Sequence, residues 1–524
     1  MTLAASSPST PGARASRPRK QDDSDRPAMN TPHKVSQAAL DLLAGEHRAL
    51  VGEDWVAGAG GEAKPIIDPA DGNPIASVPP ASLEQADDAV AAARAAFLDR
   101  RWSGQTPAHK QRVLLHVAEL IERDAQTLAE LETLNGGKLY AAALHGEVAH
   151  AAETFRYYAG WCTKLPGATF DPSVPGQRFH GLIRNEPVGV AVQIVPWNGP
   201  LVMAAWKLAP ALAAGCSCIL KPAEITPLTA LYLGRLLLEA GVPEGVVSVL
   251  PGPGGRLGQH LARHPEVNKV AFTGSTEVGK QLLADARGNL KRLSLELGGK
   301  SPVLIFGDAD LPRAIAGAAD AIFANAGQVC VAGSRVYAEQ SVYREVLDGL
   351  AETARGLRLG PGLDPDSEMG PLISASHRDS VHDLVQSGVS EGARLVAGGE
   401  PLAGQGYFYP PTVFADAGEE MRITREEVFG PVVTVAPFDT AEEALRLANQ
   451  SRYGLAASIW TGDLARGHET AESLESGIVW INSHGIPELS MPIGGYKQSG
   501  WGREHGLEGL NIYMETKSIM ARMD

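Results

Sequence analysis

Three residues of this chain have the types and settings needed for chemistry on a carbonyl group. Cys330 stands in N-A-G-Q-V-C, where a glycine shortly before the thiol allows a tight turn that presents the sulfur to a cleft. Its thiolate is a strong nucleophile if the surroundings lower the thiol pKa from about 8.5. Glu296, in L-S-L-E-L-G-G-K, is an acidic residue among leucines at the end of a strand-like segment. Burial raises a carboxyl pKa into the range of a general base; the alternative for such a residue is a salt-bridged structural glutamate. Asn198, in V-P-W-N-G-P, ends a β-branched run. Its amide can donate to an oxyanion without losing a proton, although asparagine is also a routine turn former.

A second group of motifs suits a phosphate-bearing ligand. V-A-F-T-G-S-T-E-V-G-K reads as a strand ending at Thr273, a turn and a helix start, and helix N-termini attract pyrophosphate. P-G-P-G-G, residues 251–255, gives another glycine-rich strand-to-helix turn. Neither is the G-x-G-x-x-G fingerprint. Gly274, Gly279 and Lys280 mimic a P-loop, but Gln281 stands where a metal-binding Ser or Thr is required. In I-L-K-P-A-E, Lys221 and Glu224 follow a buried strand, where an α/β sheet commonly binds ligand; a solvated ion pair is the other reading. Cys216 and Cys218 sit in A-L-A-A-G-C-S-C-I-L and read as small buried hydrophobes, because no second ligand pair accompanies them. No metal site is expected.

These residues need a scaffold of several elements. At 524 residues the chain is expected to form two to four domains, at roughly 100–200 residues each. Apolar residues recur at three and four over Ser82–Ala96 and Pro107–Leu134, which predicts two long surface helices. Beyond Pro187 short β-branched strands alternate with helix-like stretches, the signature of a parallel sheet. After Ser301 a second such series begins: P-V-L-I-F, S-R-V-Y-A, V-V-T-V-A-P-F, A-A-S-I-W and G-I-V-W-I-N. Between the helices and the first series, Gly167–Arg184 reads as a hairpin arm that leaves the body and pairs with another subunit. Residues 1–36 are rich in Ser, Pro, Ala and Arg, and are expected to be a disordered tail.

Composition narrows the partners. A net charge of −15 argues against nucleic acid, whose binding needs clustered Lys and Arg. No apolar run approaches the roughly 20 residues of a membrane span. Four cysteines in so long a chain are too few for a disulfide framework and suit a reducing, cytoplasmic setting.

In their order, P-W-N, K-P-A-E, F-T-G-S-T, L-E-L-G-G-K, G-Q-V-C, E-E-V-F-G-P and G-G-Y-K-Q-S-G-W-G-R-E resemble the NAD(P)-dependent aldehyde dehydrogenase superfamily from about Leu50 to Lys517. The tail N-S-H-G-I-P-E-L-S-M-P-I-G-G looks nearest the phenylacetaldehyde dehydrogenase-like branch. The resemblance implies an α/β fold with two Rossmann-related parallel-sheet domains and an oligomerisation arm. The cofactor domain would comprise residues 37–160 and 187–298, the catalytic domain 299–504, and the arm 161–186 with 505–524, giving a homodimer or homotetramer. It implies Cys330 as nucleophile, Glu296 as base, Asn198 with the Cys330 amide as oxyanion hole, and Lys207 and Glu504 as a proton relay. The implied reaction has four steps: thiolate attack on an aldehyde, hydride transfer to the nicotinamide, departure of the reduced cofactor, and thioester hydrolysis.

For the cofactor, the resemblance places Lys221 and Glu224 at the adenosine ribose and Gly274 and Ser275 at the pyrophosphate. It places Glu427 at the nicotinamide ribose and Phe429 by the nicotinamide, with Trp197, Gly254 and Leu297 also at the cofactor. A carboxylate at Glu224 would repel a 2′-phosphate, so NAD is favoured, with NADP still open. Gly199 and Ile493 stand where many members carry aromatic rings. With Met203, Trp206, Val329, Val331 and Pro487 as the other walls, the pocket is expected to be roomy and apolar, for a bulky or aromatic aldehyde. The rival reading is a cofactor-independent thiol hydrolase or acyltransferase, which has no need of K-P-A-E or F-T-G-S-T. A binding or structural protein on this fold would not need Cys330 and Glu296.

Overall fold

Two sheets carry the site. The computed structural model describes residues 33–524. The first sheet has eight strands in the order Asp54–Val56, Ala49–Val51, Val247–Val249, Ser217–Lys221, Val190–Ile194, Lys269–Thr273, Arg292–Glu296 and Gly500–Trp501. The five strands from Val247–Val249 to Arg292–Glu296 run parallel. The expected parallel sheet is thus present, with antiparallel strands added at both edges. Side-chain alternation explains why its middle strands are apolar throughout. Val190, Val192 and Ile194 face the cluster that includes Ala86, Val90 and Ala93 of helix Leu83–Leu98. Ala191 faces Phe155, Leu208 and Leu212 on the other side. A sheet covered on both faces leaves its strand ends as the place where polar side chains meet a cleft.

The second sheet has seven strands: Arg394–Ala397, Thr412–Ala415, Val432–Phe438, Arg335–Glu339, Pro302–Ile305, Ala456–Trp460 and Ile478–Ile481. Only the first pairing is antiparallel. Gly500–Trp501, assigned by sequence to the second unit, instead extends the first sheet beside Glu296. Gly167–Phe170 and Phe179–Pro187 form the expected hairpin, and Met514–Arg522 pairs along the second of these strands from Pro187 to Phe179.

Two expectations need correction. The Pro107–Leu134 segment is two helices, Pro107–Arg123 and Ala125–Gly136, broken at Asp124, whose carboxylate instead takes the Tyr232 hydroxyl and Arg123. The second helix is buried along most of its length and is not a surface helix. The expected tail also ends earlier than residue 36. Its first 32 residues lie outside the described ones, but His33 meets the buried Glu130 at 2.8 Å and the Ser36 amide donates to the same carboxylate at 3.1 Å. Ser36 also caps helix Gln37–Ala44.

A buried ion cluster fixes the start of the helix that follows Asn198. Lys138 contacts Glu132 at 2.9 Å and Glu147 at 2.5 Å. Glu132 also accepts from the Leu201 amide at 3.2 Å and from Thr229 at 2.6 Å. Removing Lys138, the one cation paired with them among the described residues, leaves two carboxylates in a space with little water. Lys138→Met is therefore expected to destabilise the protein by about 3–5 kcal/mol, read as a lower urea-unfolding midpoint; an unchanged midpoint would show that the cluster is not load-carrying.

Candidate active site

Cys330 is presented by a turn that the chain holds against its own preference. Helix Leu311–Phe323 gives way to Asn325, Ala326 and Gly327 at φ 49°, 53° and 71°. Left-handed backbone costs an L-residue roughly 1–2 kcal/mol, so something must hold it. At Gly327 a Cβ would lie 2.1 Å from the Gly430 carbonyl oxygen, so only glycine fits. The buried Gln328 side chain donates to the Asn325 carbonyl at 3.0 Å and accepts from the Ile373 amide at 2.9 Å. Beyond the thiol, His484 Nε2 donates to the Val331 carbonyl at 2.8 Å, and its Nδ1 lies 3.0 Å from Ser458 Oγ. Burial lowers this imidazole to about 4, so it is neutral. Asn198 Nδ2 donates to the Gln328 carbonyl at 3.0 Å, which docks the candidate oxyanion amide beside the nucleophile and leaves its second N–H free.

The surroundings do not activate the thiol by themselves. Burial, and then the carboxylates of Glu427 and Glu296, push Cys330 up to about 12, against the opposing amides of Val331 and Cys330. The lowered pKa considered from sequence is therefore absent: no cation faces the sulfur among these causes, so the thiol stays protonated until a base acts. Glu296 ends strand Arg292–Glu296 and is buried, and its Oε1 accepts no hydrogen bond among the described residues. Desolvation first and Glu504 second raise its pKa well above the carboxylate range, opposed by Lys207 and Arg503. Lys207 and Glu504 form a buried ion pair. Ile493 and Glu504 exchange two backbone hydrogen bonds of 2.8 Å, and a Cβ on the next residue, Gly494, would lie 2.9 Å from Glu296 Oε1. The structure thus brings Glu296, Lys207, Glu504 and Ile493 together.

The phosphate-style motifs gather along the same strand ends. Lys221 is buried and donates only to the Pro222 carbonyl, at 2.8 Å; desolvation lowers it to about 8. Gly254 faces it, since a Cβ there would lie 3.9 Å from its nitrogen. Glu224 pairs with Lys64 at 2.8 Å. Gly274 donates to the Glu296 carbonyl at 3.0 Å, and Ser275 caps helix Thr276–Asp285. Leu297 packs on Gly279, where a Cβ would come within 2.6 Å of its side chain. Glu427 accepts from the Gly299 amide at 3.0 Å and is raised to about 7 by burial. Trp197 and Phe429 meet edge-to-face at 5.3 Å, with His377 against both rings and its Nε2 donating to the Phe429 carbonyl at 2.8 Å.

Of the expected pocket walls, Met203 and Trp206 are the half-buried positions of the otherwise buried helix Pro200–Ala214, and Val329 and Val331 flank Cys330. A side chain at Gly199 would point at Val202 and Met203, at 3.0 and 3.4 Å. Pro487 lies exposed on the Ser483–Glu488 loop. Gln328, His377, His484 and Ser499 were not singled out from sequence. Their signal was weak: each acts on a backbone atom of a segment distant in the chain, except Gln328, which lies inside the nucleophile motif.

A protonated thiol, a buried carboxylate with a free oxygen and a docked amide define a thiol enzyme for carbonyl chemistry, set on an α/β sheet whose strand ends also hold glycine-rich turns. The Aldehyde dehydrogenase family model matches residues 55–519, and the chain belongs to that family. It is 44% identical over 490 residues to a phenylacetaldehyde dehydrogenase of Pseudomonas fluorescens, covering 93% of this chain and 98% of that one. It is 43% identical to retinal dehydrogenase 2 of Homo sapiens, covering 94% and 95%. The structure of an aldehyde dehydrogenase from Bacillus cereus in complex with NAD+ superposes with a TM-score of 0.92 at 43% identity, over 94% of this chain and 100% of that one.

Because the thiol is held protonated, alkylation of Cys330 by iodoacetamide in the ligand-free protein should quicken about tenfold per pH unit between about pH 7 and pH 9 without levelling off. Peptide mass spectrometry follows it. A plateau in that range would show a thiolate already formed.

Proposed function

We propose that the protein oxidises a bulky, hydrophobic or aromatic aldehyde to its carboxylic acid with NAD, through a thioester on Cys330. The observation that carries this reading is the Asn198 amide tied to the carbonyl two residues before Cys330, next to a buried carboxylate with an unused oxygen. In this reading Glu296 takes the thiol proton, and the sulfur forms a bond to the aldehyde carbon. The free N–H of Asn198 and the Cys330 amide donate to the resulting oxyanion. A dinucleotide held at the strand ends would supply the acceptor for the hydride that leaves the same carbon, which leaves a thioester on Cys330. Glu296, having passed its first proton to the Lys207–Glu504 pair, then accepts one from water as the oxygen attacks. The carbon–sulfur bond breaks, and the acid departs.

The residues at the strand ends fit a dinucleotide. Lys221 holds a buried ammonium with one acceptor for three donors, and Thr273 Oγ1 is buried without a partner among the described residues. Lys221, Glu224 and Gly254 would hold the adenosine end, Gly274 and Ser275 the pyrophosphate, Glu427 the second ribose, and Trp197, Leu297 and Phe429 the nicotinamide. Lys64 on Glu224 softens the repulsion of a 2′-phosphate argued from sequence. Replacing Lys64 with Ala should thus lower kcat/KM for NADP several-fold more than for NAD; an unchanged ratio would remove Lys64 from cofactor choice.

The protein is proposed to assemble as a homodimer or homotetramer through the arm, whose exposed Phe170, Leu182, Ile519 and Met520 suit a partner surface. A cytoplasmic setting suits its four free cysteines. No helix among the described residues is long and apolar enough to cross a membrane.

The deciding assay follows reduced nicotinamide with phenylacetaldehyde and with a short aliphatic aldehyde, each with NAD and NADP. NAD-linked turnover favouring the aromatic aldehyde, lost in Cys330→Ala and reduced about 10²–10⁴-fold in Glu296→Gln, is expected. Turnover surviving in Cys330→Ala would displace the nucleophile; preference for the aliphatic aldehyde would overturn the substrate class alone.

A further inference from the structure

Four arginines, Arg335, Arg422, Arg425 and Arg452, line a cavity of about 430 Å³, a size that suits a small molecule, ~300–1,000 Å³. None of the residues assigned above to the thiol, the base or the dinucleotide lines it.

Its charges can be counted against one another. Three carboxylates face the cavity, and each is already held by an arginine: Glu426 by Arg422 at 2.8 Å, Glu420 by Arg425 at 2.6 Å, and Glu419 by Arg446 at 3.0 Å. Arg335 and Arg452 are left over. Arg335 is 4% exposed and donates only to neutral groups, the carbonyls of Lys300, Leu447 and Ala448 at 2.8, 3.0 and 3.0 Å and the Tyr337 hydroxyl at 3.1 Å. Arg452 donates to the Tyr453 hydroxyl at 3.0 Å and lies over that ring. Neither forms an ion pair among the described residues. Their neighbours feel the surplus. Lys300 is lowered to about 7 by burial and then by Arg335, and Glu426 is held below the usual carboxylate range by Arg422, with Arg452 and Lys300 adding to the effect. Burying a charge without a counter-charge is costly, and a chain with 61 acidic residues against 46 basic ones had carboxylates to spare.

The chemistry of the lining selects the missing partner. A guanidinium presents planar N–H donors that match two oxygens of a phosphate at once. Two unpaired guanidiniums balance a dianion, whereas a single carboxylate would balance only one of them. Thr424, 8% exposed, has a hydroxyl that is buried without a partner among the described residues and can donate to a further oxygen. Four of the five N–H groups of Arg335 are taken, so it supplies charge and one donor from the floor, while the exposed Arg452 supplies its fork from the rim. A cation would find every carboxylate here engaged.

We infer that the cavity between Arg335 and Arg452 is a binding site for a phosphate dianion, either free phosphate or the phosphate of a small phosphomonoester, separate from the proposed dinucleotide site.

The test is calorimetric titration of inorganic phosphate and of ribose 5-phosphate into the full-length protein at fixed ionic strength, with and without NAD. Parent, Arg452→Gln and Arg425→Gln are compared. Both side chains are exposed, so the fold is not at stake, and Arg425→Gln releases the Glu420 carboxylate toward the anion. In the parent a single phosphate per chain is expected to bind whether or not NAD is present. Loss of a charge-assisted fork should weaken it about tenfold or more in Arg452→Gln, with Arg425→Gln weakening it in the same direction. Tighter binding of ribose 5-phosphate than of phosphate assigns the site to phosphomonoesters, and equal binding assigns it to free phosphate; both support it. No saturable binding of either probe in the millimolar range, or equal affinity in parent and both variants, overturns the site. Binding that NAD abolishes belongs to the glycine-rich strand ends and overturns it as well, while leaving the reaction reading intact.

Discussion

Keeping a carboxylate and a thiol together where little water reaches is the constraint on which this structure depends. Charge is costly to bury, and the protein answers by storing the proton. Desolvation raises Glu296 well above its usual range, which makes it a stronger base, and raises Cys330 to about 12, so the thiol rests neutral. Lys207 is paired with Glu504, and Lys300, lowered by burial to about 7, donates to the Ile423 carbonyl at 2.8 Å.

Close backbone approach is how these groups are brought together without opening a channel to water. A Cβ at Gly298 would lie 2.0 Å from Glu427 Oε2, and one at Gly299 would lie 2.4 Å from the Cys330 carbonyl oxygen. The two glycines therefore place the chain after Glu296 directly against both the Cys330 backbone and the Glu427 carboxylate. Ser499 closes the arrangement from the other side. Its carbonyl accepts from Leu297 at 3.0 Å, and its hydroxyl donates to Gly298 at 2.7 Å and accepts from Gly454 at 3.0 Å. The short strand Gly500–Trp501 then pairs with the strand that ends at Glu296, with Gly500 opposite Glu296. One sheet thus borrows a strand from the chain of the other beside Glu296.

The sequence showed the site well where chemistry and local structure coincide. Thr273, Glu296 and Lys221 each end a strand as their apolar runs foretell, and the second series of strands forms where its β-branched runs lie. It was poorer where the reason is tertiary. The break at Asp124 interrupts a continuous helical pattern because the carboxylate finds Tyr232, 108 residues away. His484 supports the nucleophile from 153 residues away; nothing near it in the chain marks that role. Ring volume could be judged at Gly199 and Ile493, which led to an apolar pocket, but the cavity beside Arg335 and Arg452 depends on segments meeting that spacing does not connect.

Helix Pro200–Ala214 couples Trp206 to the ion pair beside Glu296 through a defect in its own ladder. Pro210 lies inside it; it has no N–H to give to the residue four before it, Trp206, and its ring crowds that carbonyl. Gln193, fully buried on the neighbouring strand, donates to the Lys207 carbonyl at 2.7 Å. The proline loosens the turn that carries Trp206 and Lys207, and the glutamine fixes it again in one arrangement. In that arrangement Lys207 reaches Glu504 while Trp206 meets His505, the next residue of the same segment. Successive residues of one helix thereby contact successive residues of one loop. A shift of the indole would be felt at the ion pair beside Glu296, so Trp206 and the Lys207–Glu504 pair form one mechanical unit.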